Sequence, residues 1–478
     1  MNWLHLGDCL EVLRKEIPDE TVDLIYIDPP FNSKRNYNIF FDDKDIQTQR
    51  IAFEDTWSLK NIQDSLAELQ SLKTEKIQRL LTTYAEVAPF AFPYLVMMSL
   101  RLLELHRVLK PTGSFYMHCD PTMSHYLKTV CDLIFEQNNF RNEIVWHYKR
   151  WPASQKNFQR MHDIIFFYSK TYRRNNFNII WESLSEGTVK RWKGKKSIVG
   201  FNGKTRLVTQ MTGTDSPGRP ADDVWEIPVI NSQAKERLGY PTQKPKALLE
   251  RIIKASSNEG DVVLDAFCGC GTTVDTAEGL KRQWIGIDVS PIAVNLIQKR
   301  LKNTYGKALS KYEVRGVPKD EQSAIKLWEQ NPFAFQDWWI TEFGAFSATY
   351  SGKGADRGVD GIAKYLIDNN SNTIKAAFQV KGGKVQSKDI DALLGAMVKH
   401  KCELGVFLTI KEPTKPMLET IATSGIIETP GYKFPKLQLL TLSEFFSDRR
   451  LKLPQNNITF DTAKFKGKNT MEQTEFME

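Results

Sequence analysis

Three groups of residues have the types and spacing to do chemistry. In the first, the apolar run Leu24-Ile25-Tyr26-Ile27 leads straight into Asp28-Pro29-Pro30-Phe31. Each proline lacks the N–H that a sheet ladder needs, so a strand stops there and a stiff elbow begins. A bland elbow needs neither the acid before it nor the aromatic after it, although Asp28 capping a proline turn is the plain alternative. The second group is the turn "LDAFCGCGTT" at 264–273, with Asp288 closing "WIGID" one strand later. Gly269 and Gly271 let backbone come close to a ligand. The following helix opens with free N–H groups. An acid at the position of Asp288 can accept hydrogen bonds from both hydroxyls of a ribose. No Gly-Lys-Ser/Thr follows, so a P-loop does not fit, and the expected ligand is a nucleoside bearing something other than phosphate. The third group is Asp360 in "GADRGVDGIA" with Gln379 and Lys381 in "KAAFQVKGG". Period two puts Gln379 and Lys381 on one face of a strand. An acid, a second oxygen ligand and a lysine meeting at strand ends can bind one Mg²⁺ and position a water. A turn capped by Asp360, with Lys381 solvated, is the alternative.

The elements that must position these groups are legible as an α/β rhythm. Strands are expected at "TVDLIYI", "SFYMHC" and "NEIVWHY", with a helical pattern over 82–109 that carries Arg101, Glu104 and Arg107 on its outer side. "LKPTG" ends that helix, with proline and glycine just past its end. After a basic, aromatic, pattern-poor stretch at about 150–240, the rhythm resumes. "QKPKALLERIIKASS" is a helix, "DVVLDAF" and "QWIGIDV" are strands, and "SPIAVNLIQKRL" is a helix with Ser290 as N-cap and Pro291 at its first position. Such alternation means a parallel sheet covered by helices. The expected organisation is one split sheet over 1–315 with an insertion at about 150–240, a linker at 316–330, a second α/β domain at 331–450 and a polar tail at 451–478.

Composition is that of an ordinary globular protein, 41% hydrophobic and 26% charged. The 478 residues suggest about two to four domains. The most apolar stretch, "FAFPYLVMMSL", is shorter than the about 20 residues a membrane span takes, so no membrane is expected. No signal peptide is read at the start. Six cysteines over this length make no disulfide framework, and a cytoplasmic protein is the expectation. The net charge of +8 is uneven, because His147 to Asp215 carries 14 Lys or Arg against 4 Asp or Glu. Trp151, Tyr168, Tyr172, Trp181 and Trp192 interleave with these charges, which is the footprint of a surface for a polyanion.

"DPPF", then "TQKPKALLERII", then "DAFCGCGTT", in that order, resemble the DNA amino-methyltransferases that use S-adenosylmethionine. The resemblance covers about 1–315 and implies a Rossmann-like sheet acting on double-stranded DNA. It implies that Asp265, Phe267, Gly269 and Gly271 line the methionine part of the cofactor, that Thr272 is a further cofactor-binding residue and that Asp288 holds the ribose. Thr242, Gln243, Lys244 and Pro245 would close the site. "LHLGDCLEVL" resembles the family's run ahead of the catalytic motif and puts Asp8 near the cofactor adenine. Ala266 stands where the family commonly has proline.

In that setting the elbow has a task. Asp28 and the carbonyl of Pro29 would accept from the two hydrogens of a substrate amine, Pro30 would stiffen the turn, and Phe31 would stack on the base. The base must leave the duplex to reach such a pocket. The family uses an acid at Asp28 mainly for adenine N6, with cytosine N4 as the alternative. Tyr26 and Asn32 would support the elbow, and Lys34 and Arg35 would meet phosphates. The third group resembles the Mrr-like domain of the PD-(D/E)xK restriction endonucleases, over about 331–445. That implies Asp360 and Gln379 as Mg²⁺ ligands and Lys381 as the residue that stabilises the developing charge. The family's first-helix acid is replaced here by Gln336, with Glu342 farther along. A nuclease fold kept only to grip DNA is the competing reading, and the oligomeric state is open, a homodimer being one option.

Overall fold

A strand buried at every position needs neighbours on both sides and helices on both faces. Val22–Ile27 is such a strand, and the computed structural model places it near the middle of a nine-stranded sheet. The structure describes residues 2–30, 35–43, 46–55, 62–72, 74–150, 156, 158–202, 205–231, 233–234, 236–238, 240, 242–347, 359–367, 372–429 and 431–457. Side chains are not described for 35–43, 46–55, 192, 196–202, 205–213, 346–347 and 456–457.

The sheet strands in chain order are β1 (Asn2–Leu6), β2 (Val22–Ile27), β3 (Leu109–Cys119), β4 (Phe140–His147), β5 (His162–Ser169), β6 (Val224–Glu226), β7 (Val262–Asp265), β8 (Gln283–Asp288) and β9 (Tyr312–Arg315). Their spatial order is β6-β4-β5-β3-β2-β7-β8-β1-β9. Neighbours are parallel except around β5, which runs antiparallel to β3 and β4. The two halves of the sequence meet where β2 pairs with β7, Leu24 opposite Val263 and Ile25 opposite Leu264. Asp28 and Asp265 therefore emerge side by side at the carboxyl ends of adjacent strands, where open α/β sheets bind ligands.

Two apolar layers hold the sheet. One face carries the helices Cys9–Glu16, Phe92–Val108 and Ser124–Phe135, packed on Ile25, Ile27, Phe115 and Met117. The other carries Lys246–Ser256, Thr272–Gly279 and Pro291–Tyr305, packed on Leu24, Tyr26 and Tyr116. Ser290 caps the last of these by accepting from the Ala293 amide, with Pro291 at the first helical position.

Several expectations change. The helical pattern over 82–109 is two helices, Glu75–Val87 and Phe92–Val108. Pro89 falls in the break and Pro93 in the first turn of the second helix, where a missing N–H costs nothing. Arg101 is not on an outer side but buried at 8% exposure. The stretch 150–240 is not wholly an insertion, because it supplies β5, a central strand of the sheet. Tyr168 on β5 is fully buried, with its hydroxyl on Asp132, and so leaves the expected polyanion surface. A short antiparallel pattern inside a basic stretch does not announce itself by parallel-sheet periodicity.

The rest of that stretch forms the helix Glu186–Trp192, a hairpin of Lys195–Asn202 with Thr205–Asp215, and the short pair Trp181–Glu182 with Arg219–Pro220. Tyr172 and Trp181 are exposed, and the guanidinium groups of Arg141 and Arg173 lie 5.0 and 5.1 Å from the Tyr172 ring.

The second sheet has β10 (Phe346–Ser347), β11 (Gly361–Leu366), β12 (Thr373–Lys381), β13 (Leu404–Thr409) and β14 (Leu437–Thr441), in that spatial order. β10 to β12 are antiparallel, and β12 to β14 are parallel. Asn456–Asn457, within the expected polar tail, pairs with β11. The helix Pro332–Glu342 packs on the Phe378 face of β12 and Ser387–Lys399 on the opposite, Ala377 face. The expected linker 316–330 holds a helix, Glu321–Gln330, with an Asp320–Ser323 capping box. Its Ala324 is buried with Phe335 and Trp339, so much of this stretch belongs to the C-terminal core. Among the described residues, no helix is long and apolar enough to cross a membrane.

Candidate active site

A cavity of about 220 Å³ opens at the carboxyl ends of β2, β7 and β8. It brings together residues from every motif of the first two groups. Asp28 and Pro30 come from the elbow, Asp265, Phe267, Gly269 and Thr272 from the glycine turn, and Asp288 from β8. Thr242, Gln243 and Lys244 line it from the approach to the helix Lys246–Ser256, and Asp8 from the start of the first helix. Three expected residues are not on its wall. Pro245 is the N-cap residue of the helix Lys246–Ser256, Gly271 packs against the helix behind the turn, and Pro29 stands between the lining residues Asp28 and Pro30. Phe31, Asn32 and Lys34, and the side chain of Arg35, lie outside what is described.

The glycine turn is built by its acids. Asp265 accepts from the Phe267 amide at 3.0 Å, and the Thr273 hydroxyl donates to its other oxygen. Asp288 accepts from Gly269 N at 2.8 Å and from Ser290 N at 2.9 Å, which ties β8 to the turn. Each Asp288 oxygen keeps a second lone pair. Gly269 and Gly271 have φ of +49° and +74°, backbone that L side chains rarely adopt. A Cβ on Gly271 would stand 2.6 Å from the Ile297 side chain, so this glycine serves close packing of the turn on the helix behind it. Cys268 and Cys270 fill the same turn, and burial pushes both thiols up, away from reactivity. All six cysteines are free and buried.

Burial raises the Asp265 carboxyl to about 7 and that of Asp288 to about 6. A folded-state acid raised in this way binds its proton more tightly than in the unfolded chain. Its contribution to stability is full below the unfolded value near 4 and is lost as pH rises through the folded value. Asp265→Asn is therefore expected to flatten the fall in melting temperature between about pH 4 and 7 in thermal scans of the ligand-free chain. An unchanged slope would remove Asp265 as its source.

The elbow acid is held by a partner the sequence did not pair with it. Lys244 Nζ forms an ion pair with Asp28 Oδ2, both side chains being largely buried. The other oxygen, Oδ1, is buried with no hydrogen-bond partner among the described residues. A buried carboxylate oxygen without a donor is costly, and it is an acceptor waiting for one.

Several wall residues were not anticipated. Arg101 reaches Asp8 at 2.6 Å, while Asp8 also caps its own helix by accepting from Leu10 N at 2.9 Å. Tyr240, Met97 and Leu249 supply apolar wall. The N-cap role of Asp8 was readable from an acid just before "CLEVLRKE", but Arg101 was not, since its partner lies 93 positions away.

In the C-terminal domain, Asp360 N donates to Phe378 O at 2.8 Å, and Asp360 Oδ2 accepts from Val380 N at 2.7 Å. Asp360 thus sits against the segment of β12 that carries Gln379 and Lys381. Gln379 Oε1 is buried without a partner among the described residues. Lys381 lies 3.6 Å from Asp389. The helix of Gln336 and Glu342 packs on the sheet face opposite Gln379. Among the described residues no group of three or more His, Cys, Asp or Glu could hold a metal.

Known proteins match both regions. Similar chains include the type II methyltransferase M.HpaI of Haemophilus parainfluenzae, 26% identical over 294 residues that span 61% of this chain and 71% of that one. The DNA adenine methyltransferase YhdJ of Escherichia coli strain K12 is 27% identical over 310 residues, 62% of this chain and 81% of that one. The type II methyltransferase M.BamHI of Bacillus amyloliquefaciens is 29% identical over 307 residues, 63% of this chain and 57% of that one. Residues 337–437 match the restriction endonuclease family, so a restriction-endonuclease-like domain follows the first sheet. Residues 22–299, more than half of the sequence, match the DNA methylase family, and the chain belongs to that family.

Proposed function

We propose that the first sheet methylates adenine N6 in double-stranded DNA and that the C-terminal domain cleaves DNA, joining modification and restriction in one chain. The observation that carries the first half is Asp28 Oδ1, a buried acceptor without a donor in the same cavity as the glycine turn and Asp288. An exocyclic amine is a poor nucleophile because its lone pair is delocalised into the ring. Asp28 and the Pro29 carbonyl, each accepting one amine hydrogen, favour a tetrahedral nitrogen with its lone pair free. Lys244 fixes the orientation of Asp28, so the acceptor is set before substrate arrives. The cavity fits S-adenosylmethionine, which when bound supplies an electrophilic methyl group. The second lone pairs of Asp288 suit ribose hydroxyls, and Phe267 and Tyr240 offer apolar wall. The exposed aromatics and cations of 150–240 suit the DNA backbone, with affinity that falls as salt rises. The cytoplasm is the proposed setting.

For the second half, the partnerless Gln379 Oε1 beside Asp360 fits one hard cation. Mg²⁺ held there would neutralise phosphate charge. Lys381 would stabilise charge as the phosphodiester is attacked.

Sequencing the DNA of cells that express the chain, with a method that reads modified bases, tests the methylation. The expected result is N6-methyladenine in one recurring sequence context. Methylated cytosine in its place would support N4 transfer and overturn the adenine assignment.

A further inference from the structure

Methylating an amine leaves one proton too many. As the carbon–nitrogen bond replaces the carbon–sulfur bond, the nitrogen becomes cationic, and it returns to neutrality only by losing a proton while keeping the N–H electron pair. Asp28 is committed to holding the amine and to Lys244. A second acceptor is needed within reach.

β2 and β3 supply one. Tyr26 and Asp28 are two residues apart at the end of β2, so their side chains share a face. Ile27 pairs with Met117, which puts His118 at the next rung, beside Asp28. Tyr26 lines the cavity with Asp28. Its hydroxyl lies 3.1 Å from His118 Nδ1, and His118 Nε2 lies 3.1 Å from Asp163 Oδ2 on β5. Tyr148 donates to the other Asp163 oxygen at 3.0 Å. His118 is fully buried, while Asp163 is partly open to solvent.

The direction of these bonds follows from the partners. An ionised carboxylate only accepts, so Nε2 carries the proton and Nδ1 is free to accept from the Tyr26 hydroxyl. Burial opposes ionisation of Asp163. The hydrogen bond from His118 Nε2, then the charge of Lys244 and the Tyr148 hydroxyl, outweigh it and hold the carboxyl below its ordinary range. The titratable groups bonded to His118 are Tyr26 and Asp163; around them stand Asp28 close to Tyr26, and Lys244, Tyr148 and Asp120 close to Asp163.

We propose that Tyr26, His118 and Asp163 form a proton relay that drains the methylated amine. The proposal rests on the amino-methyltransferase reading above. The departing proton bonds to the Tyr26 oxygen, the original Tyr26 proton passes to His118 Nδ1, and the imidazolium so formed is stabilised by the Asp163 carboxylate. Its charge is then lost to solvent on the Asp163 side. Tyr26 acts at the cavity, while His118 and Asp163 act through it. A polar network kept only to satisfy buried groups would predict lower stability on substitution and an unchanged pH profile.

Single-turnover methyl transfer by the full chain, preloaded with S-adenosylmethionine and DNA, is followed from about pH 5 to 9, with methyladenine and methylcytosine counted separately. The wild-type rate is expected to fall on the acid side, where the relay has less room to take up a proton. His118→Asn keeps an N–H and an acceptor but cannot take a proton. It is expected to transfer about 10²- to 10⁴-fold more slowly with no acid limb, and to bind S-adenosylmethionine as before. Tyr26→Phe breaks the first link with the same result, and Asp163→Asn, which removes the carboxylate facing His118 Nε2, slows transfer in the same way. If His118→Asn does not fold, these two isosteric changes carry the test. Wild-type rates and pH profiles in Tyr26→Phe and Asp163→Asn would overturn the relay. Transfer to cytosine alone would overturn the adenine assignment and leave the relay to be judged by the same rates. No transfer to either base would overturn both.

Discussion

Asp28→Asn is expected to reduce methyl transfer by at least about 10²-fold while binding of S-adenosylmethionine and DNA stays within a few-fold of wild type. The size follows from removing one preorganised polar contact at the reacting centre, worth on the order of 10²–10³ in rate. The direction follows from Lys244. An asparagine between a lysine and a substrate amine must choose which one receives its carbonyl oxygen. The ammonium is the stronger donor, so the amide NH₂ is turned toward the amine, where a donor faces a donor. Asp28→Ala is expected to be as inactive and less stable, because it removes a carboxylate that faces the largely buried Lys244 cation. Single-turnover rates beside equilibrium binding separate these effects. Near-wild-type transfer by Asp28→Asn would remove this acid from the mechanism.

Lys381→Ala is expected to abolish DNA cleavage, by on the order of 10²–10³ in rate or more, and to leave methylation unchanged. Lys381 lies on β12 of the second sheet, and the methylating cavity is built from the first. Its own pairing with Asp389, at 3.6 Å and with 41% of the lysine side chain exposed, contributes little to stability. A loss of cutting would therefore report chemistry and not unfolding. The assay is cleavage of unmethylated plasmid with Mg²⁺, beside methyl incorporation by the same preparation. Cutting that survives the substitution would remove Lys381 from the site. Absence of cutting by the wild-type chain with any divalent metal would leave the domain as a DNA-gripping module.

What the sequence made legible is what lies at the end of a strand. Asp28, Asp265 and Asp288 each close an apolar run, so their positions follow from the strands alone, and the cavity gathers all three. The same logic marked Gln379 and Lys381 by their two-residue spacing. Contacts across long sequence separations were not legible. Lys244 was read as part of the cofactor wall, and its ion pair with Asp28 spans 216 positions. Arg101 looked solvent-facing by helical period, yet it is buried against Asp8. β5 was hidden because one antiparallel strand inside a basic stretch breaks the parallel pattern. With it Asp163 was hidden too, and so was the path from Tyr26 through His118.

Incubating the purified chain with S-adenosylmethionine and unmodified duplex DNA, then digesting to nucleosides for mass spectrometry, tests the central claim most directly. N6-methyladenine from the wild-type chain, and its near absence with Asp28→Asn, is the predicted result. N4-methylcytosine as the product, or equal N6-methyladenine from both proteins, would contradict it.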